Sequence, residues 1–114
     1  MADSLLPSIP VMLVLSALRE GEAHGYALAR WINEHSDGIL QLKEGTLYPL
    51  LQKLEQQGLV IGKWLNQGSA RPIKLYRLTE NGEKRLHQDR SEWEQRANAI
   101  TKMISNQGVR YGLV

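Results

Sequence analysis

The sequence contains no cysteine, which excludes a disulfide framework and any thiolate metal site. It also lacks phenylalanine, an absence that excludes nothing by itself. No apolar run has membrane length, since the stretch from Val11 to Leu18 is too short to span a bilayer. No Lys or Arg precedes Arg19, so the charged start of a signal peptide is missing as well. These absences point to a soluble, cytoplasmic protein. Catalytic patterns are missing too: there is no nucleophile–base pair, phosphate loop or close pair of acids. His24, His35 and His87 fall on separate segments without ligand spacing, so neither a metal site nor a cofactor is expected. A chain of 114 residues makes one domain with a modest core and little room for a deep substrate cavity. An enzyme is not the expectation.

Acidic residues are absent from one stretch. Residues 56–79 carry Lys63, Arg71, Lys74 and Arg77 and no Asp or Glu, inside a chain whose net charge is only +2. A basic island in a near-neutral chain is the footprint of a phosphate-contacting surface. It is equally the footprint of an ordinary solvated hairpin, and charge alone leaves both readings open.

Pro7 and Pro10 make the first ten residues an extended arm. Pro10 suits the first position of a helix capped by Ser8. From Val11 to Leu18 that helix is apolar nearly all round, which predicts burial, and Gly21 supplies a left-handed stop after Arg19. A second helix is predicted over Gly25 to His35. Tyr26, Leu28, Ala29 and Ile32 give it an apolar side, and the turn residues Asp37-Gly38 end it.

The most informative stretch is Glu44 to Gly58. Leu47, Leu50, Leu51, Leu54 and Leu59 recur at three- and four-residue steps and mark a core face. Thr46, Tyr48, Gln52, Lys53, Gln56 and Gln57 form a second face, rich in donors and poor in negative charge, which suits a helix laid against a polyanion. Pro49 cannot sit deep in a helix without removing a hydrogen bond. Either this helix starts near Gly45 or it bends at Tyr48–Pro49.

Leu59 to Leu65 and Pro72 to Leu78 read as the strands of a hairpin around the loop Asn66-Gln67-Gly68-Ser69. In the second strand Ile73, Leu75 and Arg77 point one way, and Lys74, Tyr76 and Leu78 the other. Thr79 caps a long final helix, with Glu80 and Glu83 in its first turn. Leu86, Trp93, Ala97, Ile100 and Ile104 follow at heptad-like spacing. Little is left in so small a chain to cover that seam, and a second copy of the protein is the economical partner. Folding back onto the first helix is a compatible alternative.

Helix, helix, helix, hairpin, long helix is the order of a winged helix-turn-helix. The expected class is α+β, mainly α, with a two-stranded wing and a long C-terminal dimerisation helix. In such a domain the third helix enters the major groove of DNA while the wing reaches for phosphate or the minor groove. The expected division is a DNA-binding region over 1–78, a dimerisation helix over 79–106 and a flexible tail over 107–114.

The chain resembles the PadR family of bacterial transcriptional regulators over nearly its whole length. The resemblance is carried by His24-Gly25-Tyr26, by Glu44-Gly45-Thr46-Leu47-Tyr48-Pro49 and by Leu54-Glu55-Gln56-Gln57-Gly58-Leu59. Trp64, Arg71 to Tyr76 and Leu78-Thr79-Glu80-Asn81-Gly82 complete it. The order and spacing of these segments are its substance, no single one being decisive. It implies a homodimer on a palindromic operator, usually acting as a repressor, in the smaller subfamily with one C-terminal helix. Two departures stand out. Lys43 occupies a position where a capping Ser or Thr is common, and Arg71-Pro72-Ile73-Lys74 replaces a more basic run.

The candidate DNA-binding residues are Thr46, Tyr48, Lys53, Arg71, Lys74, His24 and Tyr26. Thr46 and Tyr48 could reach bases or phosphates through their hydroxyls, and Tyr48 could instead pack on the second helix. Lys53, Arg71 and Lys74 are candidate phosphate contacts, the last two because no neighbouring acid in sequence pairs with them. His24 and Tyr26 could place a helix end against a phosphate or could fix how the second helix packs. Trp93, with Ala97 and Ile100, belongs to the dimer interface. By the family resemblance, Trp93 could also stack a flat aromatic effector between subunits. Trp31 and Trp64 are read as structural. The expected activity is that of a homodimeric repressor released by a small aromatic or cationic effector. The alternative is a winged-helix protein-interaction module that binds no operator.

Overall fold

A computed structural model describes residues 5–68 and 70–105. Three helices come first: α1 (Ile9–Arg19), α2 (Gly25–His35) and α3 (Glu44–Gln56). The strands β1 (Val60–Gln67) and β2 (Ala70–Leu78) follow, and then the long helix α4 (Glu80–Ser105). The expected order of elements is thus present, mainly helical with one two-stranded antiparallel sheet. Residues 107–114, expected as a flexible tail, lie outside the described residues, as does Ser69 of the hairpin loop.

The near-uniform apolarity of α1 has its expected consequence. Val11, Val14, Leu15, Ala17 and Leu18 are buried, and α1 is packed by α2, β2 and α4. Ser8 caps the helix, its Oγ accepting from the Val11 amide at 3.3 Å. The core continues through Leu28 and Ile32 of α2, Leu47, Leu51 and Leu54 of α3, then Leu59, Val60, Tyr76 and Leu86.

One expectation for α2 is corrected. Tyr26 is not on its apolar side but 60% exposed. Gly25, Leu28 and Ile32 define the buried stripe, and Tyr26 lies about 100° around the helix from Gly25. Its ring stacks beside His24 instead, with Arg30 6.0 Å from its centroid.

The two alternatives for α3 resolve in favour of an early start. Lys43 is the N-cap and makes no side-chain capping bond. Its carbonyl oxygen accepts from the amides of Thr46 and Leu47, so the helix begins without a capping side chain. Pro49 lies inside it, near enough to the start that its missing N–H forfeits only one bond of the second turn. The helix ends in a Schellman motif: Leu59 N–H donates to Leu54 O and Gly58 N–H to Glu55 O, with Gly58 at φ +76. That stop turns the chain directly into β1.

The hairpin is longer than expected, its pairing reaching Gln67↔Ala70 past an irregularity at Leu65/Gln67. Val60↔Leu78, Gly62↔Tyr76 and Trp64↔Lys74 stand opposite one another. One pairing has no local sequence signal. Ala23, between α1 and α2, exchanges both backbone hydrogen bonds with Tyr76 at 3.0 and 2.9 Å, pinning the root of the wing to the helical body.

The cap of α4 follows expectation. Thr79 Oγ1 accepts from Gly82 N–H at 3.0 Å and donates to Gly58 O at 2.7 Å, tying the end of α3 to the start of α4. The first half of α4 packs on α1 and buries Leu86 and Asp89, the carboxylate of Asp89 taking a two-pronged contact from Arg85 Nε. Farther along, Ile100, Met103 and Ile104 are exposed, Ile104 at 79%. Among the described residues, no helix is long and apolar enough to cross a membrane.

Candidate nucleic-acid interface

The side of α3 away from the core carries Thr46, Tyr48, Gln52, Lys53 and Gln56, all exposed. It follows from the leucine spacing, because burying Leu47, Leu51 and Leu54 turns these residues outward. Beside it stands the hairpin. A cleft of about 540 Å³ separates the two, lined on one side by His24, Gly25, Tyr26, Tyr48 and Gln52, and on the other by Trp64, Pro72, Ile73, Lys74 and Tyr76. Four candidate residues, His24, Tyr26, Tyr48 and Lys74, therefore meet at one cleft. Thr46, Lys53 and Arg71 lie outside its lining, exposed on the same two elements. Trp93, Ala97 and Ile100 are on α4, apart from this cleft.

His24 is the N-cap of α2, and its Nδ1 accepts from the Ala27 amide at 3.2 Å. The neutral ring then carries its proton on Nε2. Tyr48 packs on the second helix and still reaches solvent: its ring lies against Gly25 while the residue stays 43% exposed. Trp64, read as structural, does not fill the core. It is 66% exposed, and its ring holds the Lys74 ammonium at 5.6 Å from its centroid.

The premise that no acid pairs with Lys74 is corrected. Its Nζ lies 3.0 Å from Oε1 of Glu55, in the last turn of α3. The other oxygen of Glu55 accepts from Gly62 N–H at 3.3 Å, and the Tyr76 ring lies 5.4 Å from the same ammonium. The hydrogen bond to Glu55 raises the Lys74 pKa above its usual 10.5, against a smaller opposing effect of burial. Burial likewise raises the Tyr76 hydroxyl above 10.0. Sequence reasoning missed Glu55 because it stands one residue before the acid-free stretch. The available signal was Gly62, a glycine in a strand without a turn to explain it. Among the described residues, Lys63, Arg71 and Arg77 have no ion-pair partner, so the wing keeps a positive surface. No cluster of three metal-ligating side chains occurs among the described residues.

Comparison with known proteins agrees with this architecture. The family described as "Transcriptional regulator PadR-like family" matches residues 14–88. The negative transcriptional regulator PadR of Bacillus subtilis is 29% identical over 82% of this chain, which spans half the length of that relative. Transcriptional regulator Rv3488 of Mycobacterium tuberculosis is 32% identical over 76% of this chain and 78% of its own length. A PadR family transcriptional regulator from Eggerthella lenta superposes with a TM-score of 0.75 at 39% identity, over 85% of this chain and 82% of that one. The structure of Bacillus subtilis PadR in complex with operator DNA has a TM-score of 0.65 at 24% identity, over 93% of this chain and 52% of that one. The winged-helix architecture, the exposed face of α3 and these matches together identify the chain as a member of the PadR-like family of transcriptional regulators, a family of regulators rather than enzymes.

Proposed function

We propose that the chain acts as a homodimeric repressor. Residues 1–78 form its DNA-binding region and α4 its dimerisation helix. Two copies join along the Trp93, Ala97, Ile100 and Ile104 seam and offer their α3 helices to a palindromic operator, about one turn of DNA apart. A small aromatic or cationic effector at the interface near Trp93 relieves binding. The observation that carries the reading is the exposed, donor-rich side of α3 standing across one cleft from a wing whose Lys63 and Arg71 have no acidic partner among the described residues. In that arrangement Thr46 and Tyr48 meet the groove, and Lys53 and Arg71 meet phosphate. His24 and Tyr26 border the same surface from α2. A relative of the same fold forms a complex with operator DNA, which supports DNA as the partner. The half-buried Trp93 and the bare apolar residues beyond it on α4 support the dimer.

The test is fluorescence anisotropy on duplex DNA from upstream of the protein's own gene. For six or more phosphate contacts, affinity falls about a thousandfold between about 50 and about 200 mM salt. Lys53→Ala and Arg71→Ala, each removing one phosphate contact per protomer, should each reduce the logarithmic salt slope of the dimer by about 1.8. Binding without salt sensitivity, or no binding, defeats the repressor reading and leaves a protein-interaction module. The effector arm is read separately, by tryptophan quenching with planar aromatic compounds. Quenching that survives Trp93→Ala removes that residue from the pocket.

A further inference from the structure

The ammonium of Lys74 is held on several sides although its side chain remains 26% exposed. Glu55 Oε1 lies 3.0 Å away, and the rings of Trp64 and Tyr76 stand 5.6 and 5.4 Å from it. Three elements meet there: the last turn of α3 through Glu55, β1 through Gly62 and Trp64, and β2 through Lys74 and Tyr76. Glu55 spends both oxygens on the hairpin, one on Lys74 and one on the Gly62 amide.

Gly62 explains how the lysine gets there. Its φ is not in the left-handed region, so backbone freedom is not the reason for glycine. A Cβ at that position would collide with Lys74 Cε, and would lie 3.1 Å from Tyr76 Cε1 and 3.2 Å from Glu55 Oε2. The bare backbone of β1 is the passage through which Lys74 crosses the strand to reach α3.

We propose that Glu55 and Lys74 are positioning residues: they clamp the wing to the end of α3 and fix the spacing at which helix and wing together meet DNA. The root of the wing is already held by the Ala23–Tyr76 pairing. The clamp adds a second hold, on Gly62 of β1 opposite Tyr76 and on Lys74 two residues nearer the tip. A wing set in advance loses less conformational freedom on binding, and an unclamped one binds only through the fraction of molecules correctly posed. This role rests on the DNA-binding reading above. It differs from a phosphate contact by Lys74 in a way that experiment separates.

The experiment measures operator affinity and salt slope for the intact protein, four single variants and one double variant. Glu55→Gln and Lys74→Met each break the ion pair. Gly62→Ala displaces Lys74 without altering any charge, and Lys74→Arg keeps a cation for Glu55. The clamp predicts a loss of about tenfold, near 1.4 kcal/mol, in the first three, an unchanged salt slope, and recovery in Lys74→Arg. The Glu55→Gln/Lys74→Met double variant should be no weaker than either single one, because both remove the same interaction. Glu55→Gln or Gly62→Ala that binds DNA more tightly, or Lys74→Met that lowers the slope of the dimer by about 1.8, overturns the clamp and makes Lys74 a phosphate contact.

Amide exchange without DNA separates failure of the clamp from failure of the DNA reading. Glu55→Ala should speed exchange of the Gly62 N–H about tenfold or more while Tyr76 N–H, held by Ala23, stays protected. Unchanged Gly62 exchange rejects the clamp whatever the protein binds.

Discussion

The ring of Tyr48 lies across Gly25. A Cβ on Gly25 would come 2.5 Å from Tyr48 Cε1 and 2.8 Å from its hydroxyl oxygen, so the first residue of α2 is also the seat of an α3 side chain on the candidate DNA face. Gly25→Ala must therefore move the ring. Because Tyr48 is part-exposed, it can swing outward, and the cost should stay near 1 kcal/mol. In a Tyr48→Ala background the sign should reverse, since Ala is the better helix former by up to about 1 kcal/mol. Denaturant melts of the two singles and the double check this; a Gly25→Ala penalty that persists without the ring would refute the contact.

Gly82 presents the opposite case. A Cβ there would run into the carbonyl oxygen of Leu59 and lie 2.7 Å from Leu78 Cδ1. A backbone carbonyl cannot swing aside as a side chain can. Gly82→Ala should cost about 2–3 kcal/mol and lower the melting temperature by roughly 10 °C or more. Gly45 has nothing within 4 Å of its Cβ direction, so Gly45→Ala should leave stability unchanged or slightly higher. Thermal melts at one protein concentration compare the pair.

Alkaline pH should weaken the wing. Lys74 binds its proton more tightly folded than unfolded, chiefly through Glu55, with Tyr76 adding a smaller attraction. A raised folded pKa contributes stability that is complete below the unfolded value of 10.5 and disappears as pH rises through the folded value. Tyr76, raised by burial, acts in the same direction. The stability gap between wild type and Lys74→Met should be flat from neutral pH to about 9 and should close above about 10.5. A gap that widened with alkalinity would contradict the ion pair.

The parts legible in the sequence were those encoded locally. The leucine spacing of α3, the Gly58 stop and the Thr79 cap each act within a few residues, and each formed as read. Tyr26 was misplaced because one apolar ring near a helix start cannot say which side of a narrow stripe it joins. The Glu55–Lys74 contact spans 19 residues and the Ala23–Tyr76 pairing more than fifty. Such contacts depend on how the elements dock, and a pattern of neighbours does not record them. Gly62 was a trace of the first of them alone.

The seam of α4 gives the last prediction. Its first half is covered by α1, but Ile100, Met103 and Ile104 lie 44%, 77% and 79% exposed in the single chain. Three large apolar residues on one side of a charged helix are stable in water when another surface covers them. Arg90–Glu94 and Arg96–Glu92 occupy flanking positions and keep that helix soluble without closing the apolar stripe. Ile100→Asp or Ile104→Asp would place an unpaired charge in the joint and should raise the dimer dissociation constant about a hundredfold or more. The wild type should sediment as a dimer at micromolar concentration and the variants as monomers, with unchanged helical circular dichroism because the residues are already exposed in each monomer. Operator affinity should fall with the dimer, since a single copy loses the second half-site. A wild type that sediments as a monomer would reject the seam as a self-interface.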